Sequence, residues 1–330
     1  MSVITFDTIQ DARRRITDYV LKTPFVSSPA LSHFCGVSVG MKLEHYQTTG
    51  SFKLRGATNA MLRLNQAERA RGVVAASTGN HGRALSHAAR ALGSRATICM
   101  SRLVPENKVS EIRRLGADVR IIGCSQDDAQ EEADRLAADD GLLMLPPFDH
   151  PDIIAGQATL GLDIVDAMPD VATVLVPLSG GGLAAGVAAA IKGVRPAAQI
   201  IGISIQRCAA MKASIDAGHP VKVDEVPSLA DSLGGGIGLD NELTFAMCQA
   251  LLDDVVLLTE SEIATGIRHA YNEEREILEG AGAVGIAALL AGKIAGLREP
   301  IALVLSGRNI DMDLHCRIVS GETNPLRNAI

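Results

Sequence analysis

The feature of this sequence that most constrains its fold is a repeated alternation of short β-rich apolar runs with Ala-rich helical runs. Such alternation is typical of βα units arranged around a parallel sheet, because each helix returns the chain along one face of the sheet. The pattern therefore predicts an α/β fold. The paired runs are GVVAAS with NHGRALSHAARALG, RATICM with NKVSEIRRLG, DVRIIG with SQDDAQEEADRLAADDG, and VATVLVPLSGGG with LAAGVAAAIKGV.

The length of the chain and the grouping of these units indicate two lobes. The chain has 330 residues, which is long for a single hydrophobic core. Three βα units between residues 66 and 149 predict a small lobe. Residues 1–65 and 150–330 predict a larger lobe, whose sheet is completed by the N-terminal segment.

Charge and aromatic content argue against a nucleic-acid partner. The net charge is -7, which repels a phosphate backbone. Aromatic residues make up only 3% of the chain and Trp is absent, so stacking platforms for single strands are scarce.

Membrane and export signals are also missing from the pattern. The longest apolar stretch, AGAVGIAALLAG, is too short to cross a bilayer and predicts a buried helix. The segment MSVITFDTIQDARRRITDYV lacks the basic start and apolar core of a signal peptide, and it predicts an amphipathic helix. The six cysteines are scattered and never form Cys-x-x-Cys, which favours reduced thiols over disulfides or zinc. We therefore expect a cytoplasmic protein that binds no membrane.

Lys53 lies in an unusual neighbourhood, TGSFKLRG, between a predicted strand and a predicted helix. The preceding VSVGMKLEHY alternates polar and apolar residues, while Leu54, Ala57, Met61 and Leu64 follow with helical spacing. A lysine at such a junction can be held in a pocket, where desolvation lowers its pKa and frees the amine as nucleophile and base. The alternative is a solvated lysine in the first turn of a helix.

A glycine loop follows the run VPLS and precedes an Ala-rich helix. Ser179, Gly180, Gly181 and Gly182 allow close approach of the backbone to a ligand, and the helix start favours an anion such as phosphate. The alternative is a tight turn that binds nothing. A dinucleotide fingerprint is matched only through Ala185, and the following IIGISIQR lacks the acidic residue that would contact a ribose. An isolated phosphate therefore suits this loop better than a dinucleotide.

Two other glycine-containing stretches are weaker indications of a functional site. GVSVG at residues 36–40 matches the elbow of a serine hydrolase, but we place Ser38 within a strand, where that motif does not function. LGGGIG at residues 233–238 is a loop that either faces the site or forms a structural turn.

Six sequence blocks together resemble one enzyme family. The chain is similar to the fold-type II pyridoxal-phosphate enzymes, which share the fold of the tryptophan synthase β subunit, and within them to threonine dehydratases and serine racemases. A closer resemblance is to the dehydratases of hydroxyectoine utilisation. The resemblance implies that pyridoxal phosphate is bound by the larger lobe and that the small lobe closes over the substrate. The blocks are KLEHYQTTGSFKLRGA, ASTGNHGRALSHAA, FDHPDIIAGQATLG, VPLSGGGLAAGVA, ILEGAGAVGIAAL and VLSGRNID.

The resemblance also implies roles for individual residues. Lys53 would hold the cofactor covalently, Phe52 would lie beside its ring, and Asn80 would donate to the 3-oxygen of the pyridine. Ser306 would face the pyridine nitrogen, with Glu279 nearby. The residues expected at the phosphate are Ser179, Gly180, Gly181, Gly182 and Leu183. Those expected at the substrate are Ser77, Thr78, Asn80 and His81, which would meet the carboxylate, and Arg308, which would shape substrate selection. Lys53, Ser77 and Thr78 are the expected catalytic residues.

The implied reaction is an elimination from a β-hydroxy-α-amino acid such as L-threonine or L-serine. Lys53 would remove the α-proton, the β-hydroxyl would leave, and hydrolysis would give a 2-oxo acid and ammonia. A hydroxyl at Ser306, rather than a carboxylate, would not keep the pyridine nitrogen protonated, which favours elimination.

Two alternatives remain, a racemase of the same fold and a non-catalytic amino-acid-binding protein. Thr78 stands where racemases carry a second proton-transferring serine, which argues against the first, and Lys53 argues against the second. The acidic metal ligands of racemases fall near Ser204 and Ala210 here, so we expect no metal. The expected partners are an amino-acid substrate and further copies of the chain, in a homodimer or homotetramer.

Overall fold

Two sheets of mostly parallel strands, each flanked by helices, organise the chain. The computed structural model describes residues 4–77, 79–102, 104, 106–124, 126–322 and 325–326. Helices and strands alternate through these residues, which confirms the α/β fold predicted from the sequence pattern. The strands are β1 (Phe25–Ser27), β2 (Val39–Lys42), β3 (Val73–Ala76), β4 (Ala96–Met100), β5 (Asp118–Ile121), β6 (Leu143–Met144), β7 (Thr173–Pro177), β8 (Gln199–Ile205), β9 (Asp254–Leu258) and β10 (Ile301–Val304).

The helices follow the predicted Ala-rich runs. Short 3-10 turns at Glu44–Tyr46 and Asp231–Leu233 and a π-helical turn at Ala270–Glu274 interrupt the connections. The helices are α1 (Phe6–Ile16), α2 (Pro29–Cys35), α3 (Lys53–Arg63), α4 (Gln66–Arg71), α5 (Asn80–Ala91), α6 (Glu106–Arg114), α7 (Gln126–Asp139), α8 (Pro151–Ala167), α9 (Gly182–Val194), α10 (Ala210–Ala217), α11 (Leu243–Leu251), α12 (Glu260–His269), α13 (Gly280–Leu290) and α14 (Met312–Val319).

The larger sheet has the strand order β1-β2-β10-β7-β8-β9. β1 pairs antiparallel with β2, and the other neighbours are parallel. β2 is shorter than the alternating VSVGMKLEHY pattern indicated, and the placement of Ser38 within this strand is wrong, because Ser38 lies just before it. All four residues of β2 are buried. The alternation was misleading because β2 lies inside the sheet, where both faces are covered.

The smaller sheet has the order β5-β4-β3-β6, with all neighbours parallel. Its hydrophobic core includes Leu54, Ala57 and Met61 of α3. The residue before α3, Phe52, is hydrogen-bonded to the segment after β10 of the larger sheet. Helix α3 thereby connects the larger sheet to the core of the smaller one. The domain boundaries at residues 65/66 and 149/150 stay a prediction.

Helices α3 and α8 cross at paired glycines. A Cβ on Gly156 would lie 2.6 Å from the carbonyl oxygen of Arg55 and 2.6 Å from the Cα of Gly56. Real Cβ atoms do not approach other atoms so closely, so the two backbones can meet only because both positions lack a side chain. This crossing fixes where α3 begins.

A buried cluster of four charges, formed by Lys42, Glu44, Arg55 and Asp163, lies beside this crossing. Arg55 donates to both oxygens of Glu44 at 2.9 and 2.8 Å and to Asp163 at 2.7 Å. The amine of Lys42 lies 3.2 Å from Asp163. Two positive and two negative groups balance, and their mutual hydrogen bonds compensate for the cost of burial.

The apolar stretch AGAVGIAALLAG forms α13, and residues 280–289 of this helix are buried, which confirms the buried helix predicted there. Among the residues described, the structure contains no helix with the length and apolar character required to cross a bilayer.

We predict that Gly156→Ala lowers the free energy of unfolding by about 2 kcal/mol, because a methyl group must push α3 and α8 apart. Urea denaturation provides the measurement. The matched control is Gly285→Ala, also in a buried helix, where the nearest atoms lie 3.7 Å from a new Cβ. Equal stabilities of the two variants would contradict the close crossing.

Candidate functional site

Lys53 is the first residue of α3 and is held between the two sheets. The loop before it is anchored to the loop after β10, since the Phe52 amide donates to the Ser306 carbonyl at 3.0 Å and Ser51 pairs with Gly307. The Lys53 amine donates to the Pro147 carbonyl at 2.7 Å and lies 5.4 Å from the centre of the Phe52 ring. Burial lowers the pKa of Lys53 to about 8, against the opposing effect of the Glu279 carboxylate. These contacts favour a lysine held in a pocket over a solvated one.

The glycine loop connects β7 to α9, as its sequence predicts. Gly181 has a φ of +89°, a conformation that side chains disfavour. A Cβ there would also lie 2.8 Å from Met211 and 2.9 Å from the sulfur of Cys248. At Gly180 a Cβ would overlap the ring of Phe148. Side chains of Phe148, Met211 and Cys248 therefore pack against the glycine loop. Leu183 is buried in the first turn of α9.

Asn80, at the start of α5, and Glu279, at the start of α13, are joined by a direct hydrogen bond. The Asn80 amide group donates to Glu279 at 2.7 Å, and the backbone N–H of Asn309 donates to the other Glu279 oxygen at 3.0 Å. Burial, reinforced by the charge of Asp231, raises the pKa of Glu279 to about 7. Asp231 belongs to the turn that opens the LGGGIG loop, so the start of that loop acts electrostatically on this carboxyl group.

Ser306 follows β10 and lies against the start of α13. Its hydroxyl donates to the Ala281 carbonyl at 3.4 Å, which is long for an O–H donor. The side chain is buried. This hydroxyl can therefore exchange a weak partner for a better one.

Ser77 and His81 flank the start of α5, and Thr78 lies outside the residues that the structure describes. The Ser77 hydroxyl accepts from the Gly82 N–H at 2.9 Å. The Nε2 of His81 is 2.8 Å from the Leu145 carbonyl, so this nitrogen is the protonated donor. Burial and the nearby Lys53 charge lower the pKa of His81 to about 3. The His81 ring is thus neutral, and a carboxylate could be met by its backbone N–H and not by its side chain.

Arg308 is exposed, and it lines a cavity of about 710 Å³ beside the loop that precedes Lys53. Arg83 lines the same cavity and donates to the Asn309 side chain at 3.2 Å. The cavity is strongly basic, because Arg90 and Arg114 also line it. Arg308 therefore adjoins the Asn80–Glu279 network through its neighbour Asn309.

Four of the seven buried polar atoms that lack a partner in the described part of the chain lie on the segment before Lys53 and at the start of α5, and the other three belong to His45, Gln157 and His315. Among the residues described, Thr49 Oγ1, Ser51 Oγ, His81 Nδ1 and Arg83 Nε have no hydrogen-bond partner. Buried polar groups are normally satisfied, so unpartnered atoms on the segments beside a buried amine indicate a place that a polar ligand completes. In the same described part of the chain, no group of three or more His, Cys, Asp or Glu side chains could hold a metal ion.

Sequence reasoning missed several residues of this site. Asn309 joins Thr49, Asn80 and Glu279, with its side chain 3.0 Å from the Thr49 carbonyl. The sequence predicted a role only for its neighbour Arg308. Pro147 contacts the lysine and Phe148 contacts the glycine loop, although neither residue was assigned a role. A signal was present for Asn309 and Phe148, which lie inside the blocks of family resemblance, whereas Pro147 lies just before its block.

Comparisons with known proteins agree with this geometry. A family model described as "Pyridoxal-phosphate dependent enzyme" matches residues 16–307. A protein of Sinorhizobium fredii, named "Putative threonine dehydratase", is 68% identical over 97% of each chain. The structure of the processed form of threonine deaminase isoform 2 from Solanum lycopersicum has a TM-score of 0.89 and 37% identity, covering 96% of this chain and 93% of that one.

A serine racemase structure is equally similar in shape. The maize enzyme has a TM-score of 0.90 and 30% identity, and the match covers 94% of this chain and 95% of that one. The family match spans most of the chain. The chain therefore belongs to the family of pyridoxal-phosphate dependent enzymes.

Proposed function

We propose that this enzyme is an ammonia-lyase that eliminates the β-hydroxyl of L-threonine or L-serine to give a 2-oxo acid and ammonia. The observation that carries the proposal is the Lys53 amine, half-buried and hydrogen-bonded, with a pKa lowered to about 8. The names of the Sinorhizobium and tomato relatives support the same reaction.

The residues at the site fit pyridoxal phosphate. Lys53 offers the amine to which the cofactor's aldehyde carbon would be joined, and the glycine loop offers backbone N–H groups at the start of α9 to its phosphate. Phe52 lies beside Lys53, Asn80 carries a side-chain amide for the ring oxygen, and Ser306 offers a hydroxyl to the ring nitrogen. Ser179 and Leu183 border the same loop.

Pyridoxal phosphate, when bound, supplies a conjugated ring that stabilises negative charge on the α-carbon of an amino acid. Lys53 acts as the base that removes the α-proton. A fall in pKa from 10.5 to about 8 raises the neutral fraction of the amine at pH 7 by about 300-fold. The lowered pKa therefore supplies the basic form that proton removal requires.

The start of α5 is the expected place for the substrate carboxylate. Backbone N–H groups at a helix N-terminus favour an anion, and Asn80 and His81 lie in this turn. Ser77 and Thr78 precede it. Lys53 lies near this turn, since its charge contributes to the lowered pKa of His81.

The β-hydroxyl leaves once the α-carbon has lost its proton. The C–O bond breaks, and the oxygen departs as water after taking up a proton. Hydrolysis of the unsaturated product consumes one water and releases ammonia, so the net products of threonine are 2-oxobutanoate and ammonia. Glu279, with a pKa of about 7, lies between Asn80 and Asn309 and stabilises the lobe contact at which this occurs.

A racemase is the second candidate, because the maize serine racemase has a TM-score of 0.90 to this chain. Thr78 in place of the serine expected of racemases disfavours it. A non-catalytic binding protein is disfavoured by Lys53, since binding alone requires no amine of lowered pKa. Chiral analysis of unreacted serine after incubation separates racemisation from elimination.

The proposal also covers the cellular location, the oligomeric state and the movement of the small lobe. The cytoplasm is favoured because the described cysteines are free thiols. A homodimer or homotetramer and a small lobe that closes over the substrate follow from the family resemblance, and no metal is expected because the acidic ligands of racemases fall near Ser204 and Ala210 here. The most specific form of this proposal is a role in hydroxyectoine utilisation. It depends on Arg308 as a residue that selects the substrate.

We predict that Lys53→Ala lowers kcat for ammonia release from L-threonine by roughly 10³-fold or more while the fold persists, because the residue acts chemically. Borohydride should fix the cofactor to wild-type protein at Lys53, as seen by peptide mass, and not to the variant. The control is Lys222→Ala, at an exposed lysine. Steady-state turnover by Lys53→Ala close to that of the wild type would refute the assignment.

We predict that Ser306→Asp retains cofactor but loses at least about tenfold in kcat, equal to about 1.4 kcal/mol of barrier, because a carboxylate would keep the pyridine nitrogen protonated. The visible spectrum and kcat provide the measurement. Ser306→Ala removes the hydroxyl without adding charge, and it separates this effect from lost packing. A rate for Ser306→Asp within twofold of wild type would show that this contact does not govern elimination.

We predict that Arg308→Gly changes the ratio of kcat/KM between substrates with polar and apolar side chains, since a guanidinium offers a planar fork of donors to oxygen atoms. The panel is L-serine, L-threonine, 3-hydroxyaspartate and a hydroxylated diaminobutyrate derivative of hydroxyectoine breakdown. If threonine is preferred by about tenfold, or 1.4 kcal/mol, and the variant alters no ratio, the specialised substrate is excluded and a threonine dehydratase remains.

A further inference from the structure

Three consecutive residues after β6 contact three different parts of the site. The Pro147 carbonyl accepts from the Lys53 amine at 2.7 Å. The ring of Phe148 occupies the space where Gly180 would carry a side chain, and the Phe148 Cα lies 3.1 Å from the position of a Cβ on Gly182. The Asp149 carboxylate binds the start of α11. One short segment therefore contacts the amine, the loop and a supporting helix.

The Asp149 carboxylate caps α11 from outside the helix. It accepts hydrogen bonds from three successive N–H groups, those of Glu242 at 3.0 Å, Leu243 at 3.0 Å and Thr244 at 2.8 Å. The residue at the N-cap position, Glu242, makes no side-chain cap of its own. Helix starts leave such donors unsatisfied, and a negative charge there is favoured by the helix dipole. Asp149 thus supplies what the sequence of α11 lacks.

Helix α11 in turn supports the glycine loop. Thr244, one of the three capped residues, lies 3.0 Å from the position of a Cβ on Gly181, and the Cys248 sulfur lies 2.9 Å from it. The Cys248 thiol is 3.8 Å from the Gly181 carbonyl oxygen. Thr244 is further fixed by hydrogen bonds of 2.8 and 3.0 Å with the side chain of Asn241. Gly181 therefore lies on a surface whose position depends on the first turn of α11.

We propose that Asp149 is a positioning residue for the cofactor phosphate, which acts by holding α11 and, through Thr244 and Cys248, the backbone of Gly181. The inference rests on the proposed role of the glycine loop in binding that phosphate. The hydrogen bonds of the Asp149 carboxylate go to the first turn of α11. Its effect is to keep the loop N–H groups in register with the segment that also contacts Lys53.

The test compares purified holoenzymes by two measurements that do not depend on turnover. Equilibrium dialysis against a series of pyridoxal phosphate concentrations gives the dissociation constant, and ³¹P NMR gives the chemical shift and line width of the bound phosphate. Asp149→Ala should raise the dissociation constant about tenfold and move or broaden the ³¹P signal. Asp149→Asn keeps an oxygen for Leu243 and Thr244 but loses the acceptor for Glu242, so a rise of about threefold is expected.

A matched control separates positioning from general loss of stability. Thr259 caps α12, where its hydroxyl accepts from the Glu262 N–H at 3.3 Å, and it follows β9, two strands along the sheet from β7, which precedes the glycine loop. Thr259→Ala removes a cap of similar kind and should lower the melting temperature without changing the phosphate signal. An unchanged dissociation constant and an unchanged ³¹P signal in Asp149→Asn would overturn the proposal, even if the alanine variant fails to fold. Equal ³¹P changes in Thr259→Ala and Asp149→Ala would overturn it as well.

Gly181→Ala distinguishes this inference from the function on which it rests. If Gly181→Ala alters the ³¹P signal and Asp149→Ala does not, the glycine loop binds the phosphate and only the role of Asp149 is wrong. If neither variant alters the signal, the phosphate is bound elsewhere and the proposed phosphate site fails.

Discussion

The buried charge cluster of Lys42, Glu44, Arg55 and Asp163 is the interaction on which the placement of the active amine depends. Arg55 is two residues beyond Lys53 on α3, and its bonds to Glu44 and Asp163 join α3 to the segment after β2 and to α8. Removing one member would leave an uncompensated buried charge, which costs about 3–5 kcal/mol. The cluster thereby fixes the start of α3. The Lys53 amine itself is held by a hydrogen bond to the Pro147 carbonyl.

Close backbone contact is the second constraint, and it explains the many glycines of this chain at the site. Gly56 and Gly156 let two helices touch, and Gly180 and Gly181 let a loop lie directly on its neighbours. The lysine and the glycine loop are consequently held by rigid elements rather than by long mobile side chains. Such preorganisation suits a site that must place an amine and a phosphate at fixed separation.

The sequence predicted those features that local pattern encodes. The βα alternation predicted the α/β fold, and a lysine at a strand-to-helix junction was recognisable without any structure. The contacts of Asn309 and Asp149 were not predictable, because each partner is distant in sequence and polar side chains in loops carry no periodicity. Lys42 shows a further limit. It reads as a polar residue of an alternating strand, yet it is buried, because its compensating carboxylates come from Glu44 and from Asp163 on another helix.

The pairing of β2 with β10 has a consequence for how the enzyme is made. Val39 pairs with Ile301, and the loop that carries Lys53 is anchored to Ser306 and Gly307. Contacts of such long sequence separation form late, since the entropy of closing a large loop must be overcome before they stabilise anything. On the ribosome the N-terminal part emerges long before its partner strand. The reactive amine therefore reaches its final position only after β10 has been synthesised, so a nascent or truncated chain does not present a completed lysine site to free cofactor.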